Sequence, residues 1–191
     1  SIGSGLVFPV SEEDIMIDPI KLEDHWPRIA AIDFGWDHPT AMVWCAVDNE
    51  SETFYIYDCY RASKASPTVH AQNIRMRPHF IPIAYPHDGN RRDSMGNPGL
   101  ADQYRNLGCN FMLEHFTNPP ALGSNKGSNS IEEGLMAMLQ KIEAKKFKVF
   151  NTLGDWFEEF RMYHRKDGKV VPLRDDLLSA TRYAFQSQRF A

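Results

Sequence analysis

Apolar residues fall in short continuous runs up to about residue 60, and at helical spacings interrupted by short runs beyond it. Arg28–Phe34 is nearly continuously apolar, the pattern of a strand buried on both faces. Gly35 permits a sharp turn, Pro39 stiffens the exit, and Thr40–Val47 begins a second strand. Asp48 to Ser51 supply another turn into Thr53–Tyr60, rich in aromatic and branched residues, which completes an antiparallel three-stranded meander. Ser66 as N-cap and Pro67 at the first position open a helix that Pro78 ends. The apolar run Ile81–Tyr85 follows as a strand, so the helix is a crossover returning the chain to the same sheet.

Leu100, Tyr104 and Leu107 recur at helical spacing before Gly108, and Asn110–Leu113 reads as a strand. Thr117–Asn129 is a long polar loop with Pro and Gly, expected to be mobile and close to the functional site, with Lys126 a candidate phosphate contact. Ser130 and Glu133 form a capping-box pattern ahead of a helix whose face carries Ile131, Leu135, Met138, Leu139 and Ile142. Phe147–Phe150 is a strand. Asp155–Arg165 is helical, with Trp156, Phe160 and Tyr163 on one side. After a turn at Lys166–Lys169, an amphipathic helix led by Asp175 and Asp176 closes the pattern. The fold class is therefore α/β: a mixed central sheet, its antiparallel three-stranded meander extended by parallel strands, flanked by helices. Residues 1–27 carry a polar run, Ser11–Asp14, and prolines at 9, 19 and 27; they read as a linker or approach segment before a domain at 28–191.

A length of 191 residues suits one domain with a real core, and 42% hydrophobic with 24% charged residues is ordinary globular composition. No run is long enough for a transmembrane helix, no signal-peptide pattern opens the chain, and a start at Ser1 suggests an excised piece of a longer protein. Cys45, Cys59 and Cys109 are an odd, widely spaced set, which argues against a disulfide framework or zinc site and for a reducing compartment. The net charge of −4 is not the footprint of bulk-charge nucleic-acid binding. Basic residues cluster at Arg75/Arg77, Arg91/Arg92, Lys141–Lys148 and Arg161–Lys169, each more simply a solvated face than a phosphate track.

The chemistry lies in the acids. Asp33 ends the first buried strand, where a carboxylate carries a desolvation cost unless a cation or donors compensate it. Asp88, after Ile81–Tyr85 and beside Gly89, repeats the arrangement, and the crossover would bring both strand ends to one side of the sheet. Asp175 and Asp176 lead the last helix. Each has a plain structural reading: Asp33 capping its own turn, and the helix acids complementing the macrodipole. The sharper reading is a site for a divalent cation.

Together, strand–Asp33-Phe34-Gly35-Trp36, strand–His87-Asp88-Gly89 and the helix from Asp175-Asp176-Leu177-Leu178 to Tyr183-Ala184 resemble the nuclease domain of tailed-phage large terminase subunits. The resemblance covers roughly residues 28–186, including the stretch from Trp156 to Asp176. It implies a ribonuclease H-like fold and a metal-dependent DNA endonuclease making headful-type cuts in concatemeric viral DNA during packaging. Its site residues would be Asp33, Asp88, Asp175 and Asp176. All-oxygen ligands suit Mg²⁺ or Mn²⁺, and two ions about 3.5–4 Å apart could activate water and stabilise the leaving 3′ oxygen. Asp33 would bridge the ions, with Asp88 and Asp175 or Asp176 completing their shells. Which of the last two is the principal ligand stays open, because Leu178 and Ser179 stand where family members often place an acid or histidine. His87 is a weaker candidate for phosphate or water; Asp37 and His38 are supporting or turn-capping residues. Implied partners are double-stranded DNA, an N-terminal packaging ATPase in cis, the small terminase subunit and the portal, in the host-cell cytoplasm with no membrane. No G-x-x-x-x-G-K-[ST] loop occurs, so the ATPase is not in this sequence. Alternatives are a junction resolvase, a non-enzymatic DNA- or portal-binding module, and, from the first hairpin alone, an actin-fold sugar kinase. The last lacks its second phosphate loop.

Overall fold

The computed structural model describes residues 5–90, 95–96 and 98–191. The basic pair Arg91/Arg92 lies outside the described residues. In chain order the strands are β1 (Met16–Ile17), β2 (Arg28–Asp33), β3 (Thr40–Asp48), β4 (Thr53–Ala62), β5 (Ile83–Ala84), β6 (Phe147–Phe150), β7 (Arg165–Lys166) and β8 (Lys169–Val170). The helices are α1 (Pro67–Ile74), α2 (Leu100–Asn106), α3 (Ile131–Glu143), α4 (Gly154–Met162) and α5 (Asp176–Gln186).

Six strands form one sheet in the order β1-β6-β4-β3-β2-β5, and β7-β8 make a separate hairpin. The expected meander is present: β3 runs antiparallel to both β2 and β4. A bulge in β4 breaks the register between Trp44 and Cys45. All other pairings in the large sheet are parallel, β2 with β5, β4 with β6 and β6 with β1. The α1 crossover therefore puts the C-terminal ends of β2 and β5 side by side, with Ala31 opposite Ala84.

Because side chains alternate across a strand, the continuous apolar runs feed two cores. Ile29, Ala31, Val43 and Cys45 face α3, α4 and α5; Ala30, Ile32, Met42 and Trp44 face α1 and α2. The thicker core includes Phe54, Phe147, Trp156, Phe157 and Phe185. Helix α5 is not the one-faced amphipathic helix expected. Asp176, Leu177, Leu178, Ala180, Thr181, Arg182, Ala184, Phe185 and Gln186 are all buried, because it runs across β2 and β3 beneath α3 and α4.

Three expectations need correction. The approach segment is not separate up to residue 27: Ile15 is fully buried, β1 pairs with β6, and Glu12 binds Arg161 at 2.7 Å. The apolar Val7, Phe8 and Ile15 supply burial enough to hold this stretch on the domain despite its polar run. Asn110–Leu113 makes a single bridge, Phe111 with Ile83, rather than a strand. The capping box does not close: Ser130 makes no side-chain cap, and Glu133 Oε2 instead accepts the Ser128 hydroxyl at 2.6 Å.

The basic clusters among the described residues are largely engaged within the protein. Arg77 stacks on Trp44 and pairs with Asp58, Lys145 pairs with Asp14, and Arg165 pairs with Glu132. All three cysteines are free, Cys45 and Cys109 buried.

Candidate active site

Asp33 is the last residue of β2, and the turn after it is not closed by its carboxylate. The Thr40 hydroxyl does that work, donating to the Gly35 carbonyl at 2.9 Å and accepting the Gly35 N–H at 3.1 Å. Gly35 is required by close approach: a Cβ there would stand 2.6 Å from both His38 Nδ1 and the Pro39 carbonyl oxygen. With the turn held by Thr40, the Asp33 side chain is free to face the sheet edge, where Oδ1 lies 3.5 Å from the Tyr183 hydroxyl.

Asp88 follows β5 in a short 3-10 turn, His87–Asn90. Gly89 is buried against aromatic rings; a Cβ there would meet Tyr85 Cδ2 at 2.7 Å and Phe34 Cε2 at 3.1 Å. That packing anchors the turn while Asp88 and His87 remain exposed, 3.8 Å apart.

Asp175 and Asp176 occupy the N-cap and first turn of α5, yet Asp175 makes no side-chain cap. Glu159 of α4 takes the role: its Oε1 accepts the N–H groups of Leu177 at 2.7 Å and Leu178 at 3.3 Å. Asp176 is buried and its Oδ1 lies 3.0 Å from His38 Nδ1, tying the β2–β3 turn to the start of α5.

Electrostatics ties the four acids together. The Asp33 carboxyl is pushed from 3.8 up to about 8, first by burial, then by the charges of Asp176, Asp175 and Asp88; Arg182 opposes them. Asp175 is also raised, by burial and by Asp176, against His38 and Arg182. Burial, together with the negative charge of Asp33, Asp88 and Asp175, raises the Tyr183 phenol. Asp176, Asp175 and Asp88 each add to the raising of the Asp33 carboxyl, while the turn after Asp33 is held by Thr40 and the first α5 amides by Glu159. His38 touches Asp176, whereas Lys126 and Asp37 have no side-chain contact with the acids among the described residues.

Among the described residues no three His, Cys, Asp or Glu side chains are already arranged as a metal-holding group. The donor set nonetheless fits a hard divalent cation: carboxylate oxygens, desolvated at Asp33 and Asp175 and exposed at Asp88, that repel one another with Arg182 opposing. Asp33, Asp88, Asp175 and Asp176 would hold it.

Sequence reasoning missed Glu159, Arg182 and Asn118. The first two carried a signal. Glu159 falls on the side of α4 defined by Trp156, Phe160 and Tyr163, and Arg182 on the side of α5 defined by Leu178 and Phe185. A charge on a buried stripe needs a partner or a function. Asn118, fully buried, had no such signal. It links the ends of the 117–129 loop to α5 through Ser128, Ser130 and Gln186. Asn129 at the loop's end lines a recess with His87 and Asp88.

The sequence matches the family described as terminase RNaseH-like domain over residues 30–188. It is 36% identical to the terminase large subunit of Salmonella phage P22 over 192 aligned residues, covering 100% of this chain and 37% of that protein. The chain thus spans little more than a third of that curated relative. The solved structure of the P22 large terminase nuclease domain matches with a TM-score of 0.88 at 36% identity, covering 100% of this chain and 96% of that one. The large terminase nuclease domain of bacteriophage SPP1, solved with bound Mn, shares the fold at a TM-score of 0.59 and 17% identity, covering 92% of this chain and 96% of that one. With its fold, sheet-edge acids and sequence accounted for together, the chain belongs to the terminase RNase H-like domain family, the nuclease domain of phage large terminase subunits.

Proposed function

We propose that this domain is a divalent-metal-dependent endonuclease that hydrolyses phosphodiesters of double-stranded DNA by a two-ion mechanism, making headful-type cuts during viral genome packaging. What supports the reading is that Asp33 and Asp88 follow the neighbouring parallel strands β2 and β5, and that His38 ties Asp176 to the turn after Asp33 at 3.0 Å. Structural capping has no need of such a cluster.

In this reading Asp33, held at the end of β2, together with Asp88 and the α5 acids would hold the Mg²⁺ or Mn²⁺ ions. Asp176, tied to the turn after Asp33 through His38 at 3.0 Å, would be the principal α5 ligand. The ions would supply an activated water and charge stabilisation at the leaving 3′ oxygen. The protein's part is positional: Thr40 frees Asp33, Glu159 frees Asp175 and Asp176, and the packed Gly89 turn presents Asp88 toward substrate. The Mn-bound SPP1 domain lends support to the choice of ion.

The wider setting follows from the relatives. The domain would act in cis with an N-terminal packaging ATPase. It would meet the small terminase subunit and portal in the host cytoplasm. No helix among the described residues is long and apolar enough to cross a membrane.

The test is incubation of the domain with supercoiled plasmid, with Mn²⁺, with Mg²⁺ and with excess EDTA. Nicking and linearisation with little sequence preference are expected only with metal, and weakened binding as salt rises. Cleavage that persists in EDTA would overturn the metal reading.

A further inference from the structure

Arg182 is a buried cation, 6% exposed, and among the described residues it forms no ion pair. Its Nη1 has no hydrogen-bond partner among the described residues. A guanidinium so far from water is costly unless an anion or donor–acceptor partners compensate it. What holds it here is shape and ring faces. Its central carbon lies 4.9 Å from the Tyr183 ring centroid and 5.5 Å from that of Phe116. Its stem passes α3 at Gly134, where a Cβ would stand 2.8 Å from Cγ and 2.9 Å from Cδ. The fold keeps a glycine within α3, a residue unfavourable in helices, where this stem passes.

Arg182 lines a recess of about 200 Å³ with His87, Asp88, Phe116, Asn129 and Tyr183. The recess adjoins the acid cluster, and the guanidinium charge is felt by both Asp33 and Asp175. Arg182 could balance the acids when no cation is bound. Once divalent ions neutralise those carboxylates, the guanidinium is left without a counter-charge. A phosphodiester is the anion that matches a planar fork at such a place, since it accepts two parallel N–H bonds.

We infer that Arg182 and its recess form a phosphate subsite that binds one phosphodiester of the DNA strand presented to the acids. Arg182 then fixes strand register against Asp33 and Asp88 through a charge-assisted, bidentate contact. The inference rests on the nuclease reading above.

The experiment measures affinity for a short duplex as a function of salt, with Ca²⁺ replacing Mn²⁺, for wild type, Arg182→Gln, Arg182→Lys and Gly134→Ala. Melting temperature is read alongside. One phosphate contact contributes about 0.9 to the slope of log affinity against log salt. Arg182→Gln is expected to lower the slope by about that amount and the affinity roughly tenfold. Arg182→Lys should keep the slope but weaken binding, because the fork is lost. Gly134→Ala, which keeps the charge but displaces the stem, should weaken binding with a native melting temperature. If Arg182→Gln does not fold, the other two variants carry the test. An unchanged slope in Arg182→Gln, or wild-type affinity in Gly134→Ala, would overturn the subsite and leave Arg182 a counter-ion to the acids. Failure of the nuclease reading is distinct: the wild-type domain would then not cut plasmid with Mn²⁺.

Discussion

Glu159 on α4 accepts the backbone N–H of Leu177 on α5 at 2.7 Å, so one helix caps another across 18 positions of sequence. The same carboxylate accepts a hydrogen bond from Arg61 Nη1 at 2.8 Å, and burial pushes its carboxyl up to about 7 against the pull of Arg61 and the two amides. This arrangement decides what Asp175 and Asp176 can do. An acid at a helix start normally spends its oxygens on its own first turn; here those amides are already taken.

Glu159→Ala should therefore weaken the protein and the site together. A lost cap costs about 0.5–2 kcal/mol, and leaving Arg61 without its buried partner adds to it. Glu159→Gln keeps an acceptor for Leu177 but not the charge for Arg61. It should lose less stability, and metal-dependent cleavage should fall less than in Glu159→Ala. Thermal melts paired with plasmid nicking check this. Glu159→Ala with unaltered cleavage would mean that the acids hold their places without the cap.

Asn118 is expected to control the order of the loop between residues 117 and 130. Its Nδ2 donates to Ser128 Oγ at 3.1 Å and to the Ser130 carbonyl at 2.9 Å, while Oδ1 accepts from Gln186 at 3.1 Å. Asn118→Ala leaves the buried Gln186 amide without its partner, at a cost of about 1–3 kcal/mol. The visible result would be faster proteolysis near Gly123 and Lys126, with the core cut no sooner than in wild type. Equal proteolysis rates would show that the loop is anchored elsewhere.

Much of the sheet was legible in the sequence because β2 and β3 are buried on both faces and so appear as nearly unbroken apolar runs. Arg28–Asp33, Thr40–Asp48 and Phe147–Phe150 are strands within a residue or so of their apolar limits. The edge strand Met16–Ile17 was not legible: two residues give no periodicity, and its pairing with β6 is decided by distant chain. At the site, Asp33 and Asp88 stood out because acids follow buried strands there. The reason Asp175 and Asp176 are free to act was invisible, since it rests on Glu159 and on a helix packing that no local pattern encodes. The false capping box at Ser130 has the same origin, as Ser128 reaches Glu133 first.

The last prediction concerns Asp33 and pH. Its carboxyl is pushed from an ordinary 3.8 to about 8 by burial and by Asp176, Asp175 and Asp88. Between those values the folded protein keeps a proton that the unfolded chain has released. The Asp33 contribution to metal-free stability therefore falls as pH rises from about 4 to about 8, and is level on either side. Each pKa unit corresponds to about 1.4 kcal/mol, so the total is at most several kcal/mol, shared with neighbours that titrate together. A divalent ion needs the carboxylate ionised, so its affinity should climb through the same window and reverse the loss. Asp33→Ala removes both the charge and any cap. Without metal at pH 8 the variant should melt no lower than wild type, and its relative advantage should shrink as pH falls toward 4. Mn²⁺ should raise its melting temperature less than that of wild type, and cleavage should be lost. A turn-capping Asp33 would give the opposite result: a clear drop in metal-free stability, by about 1 kcal/mol, with cleavage retained.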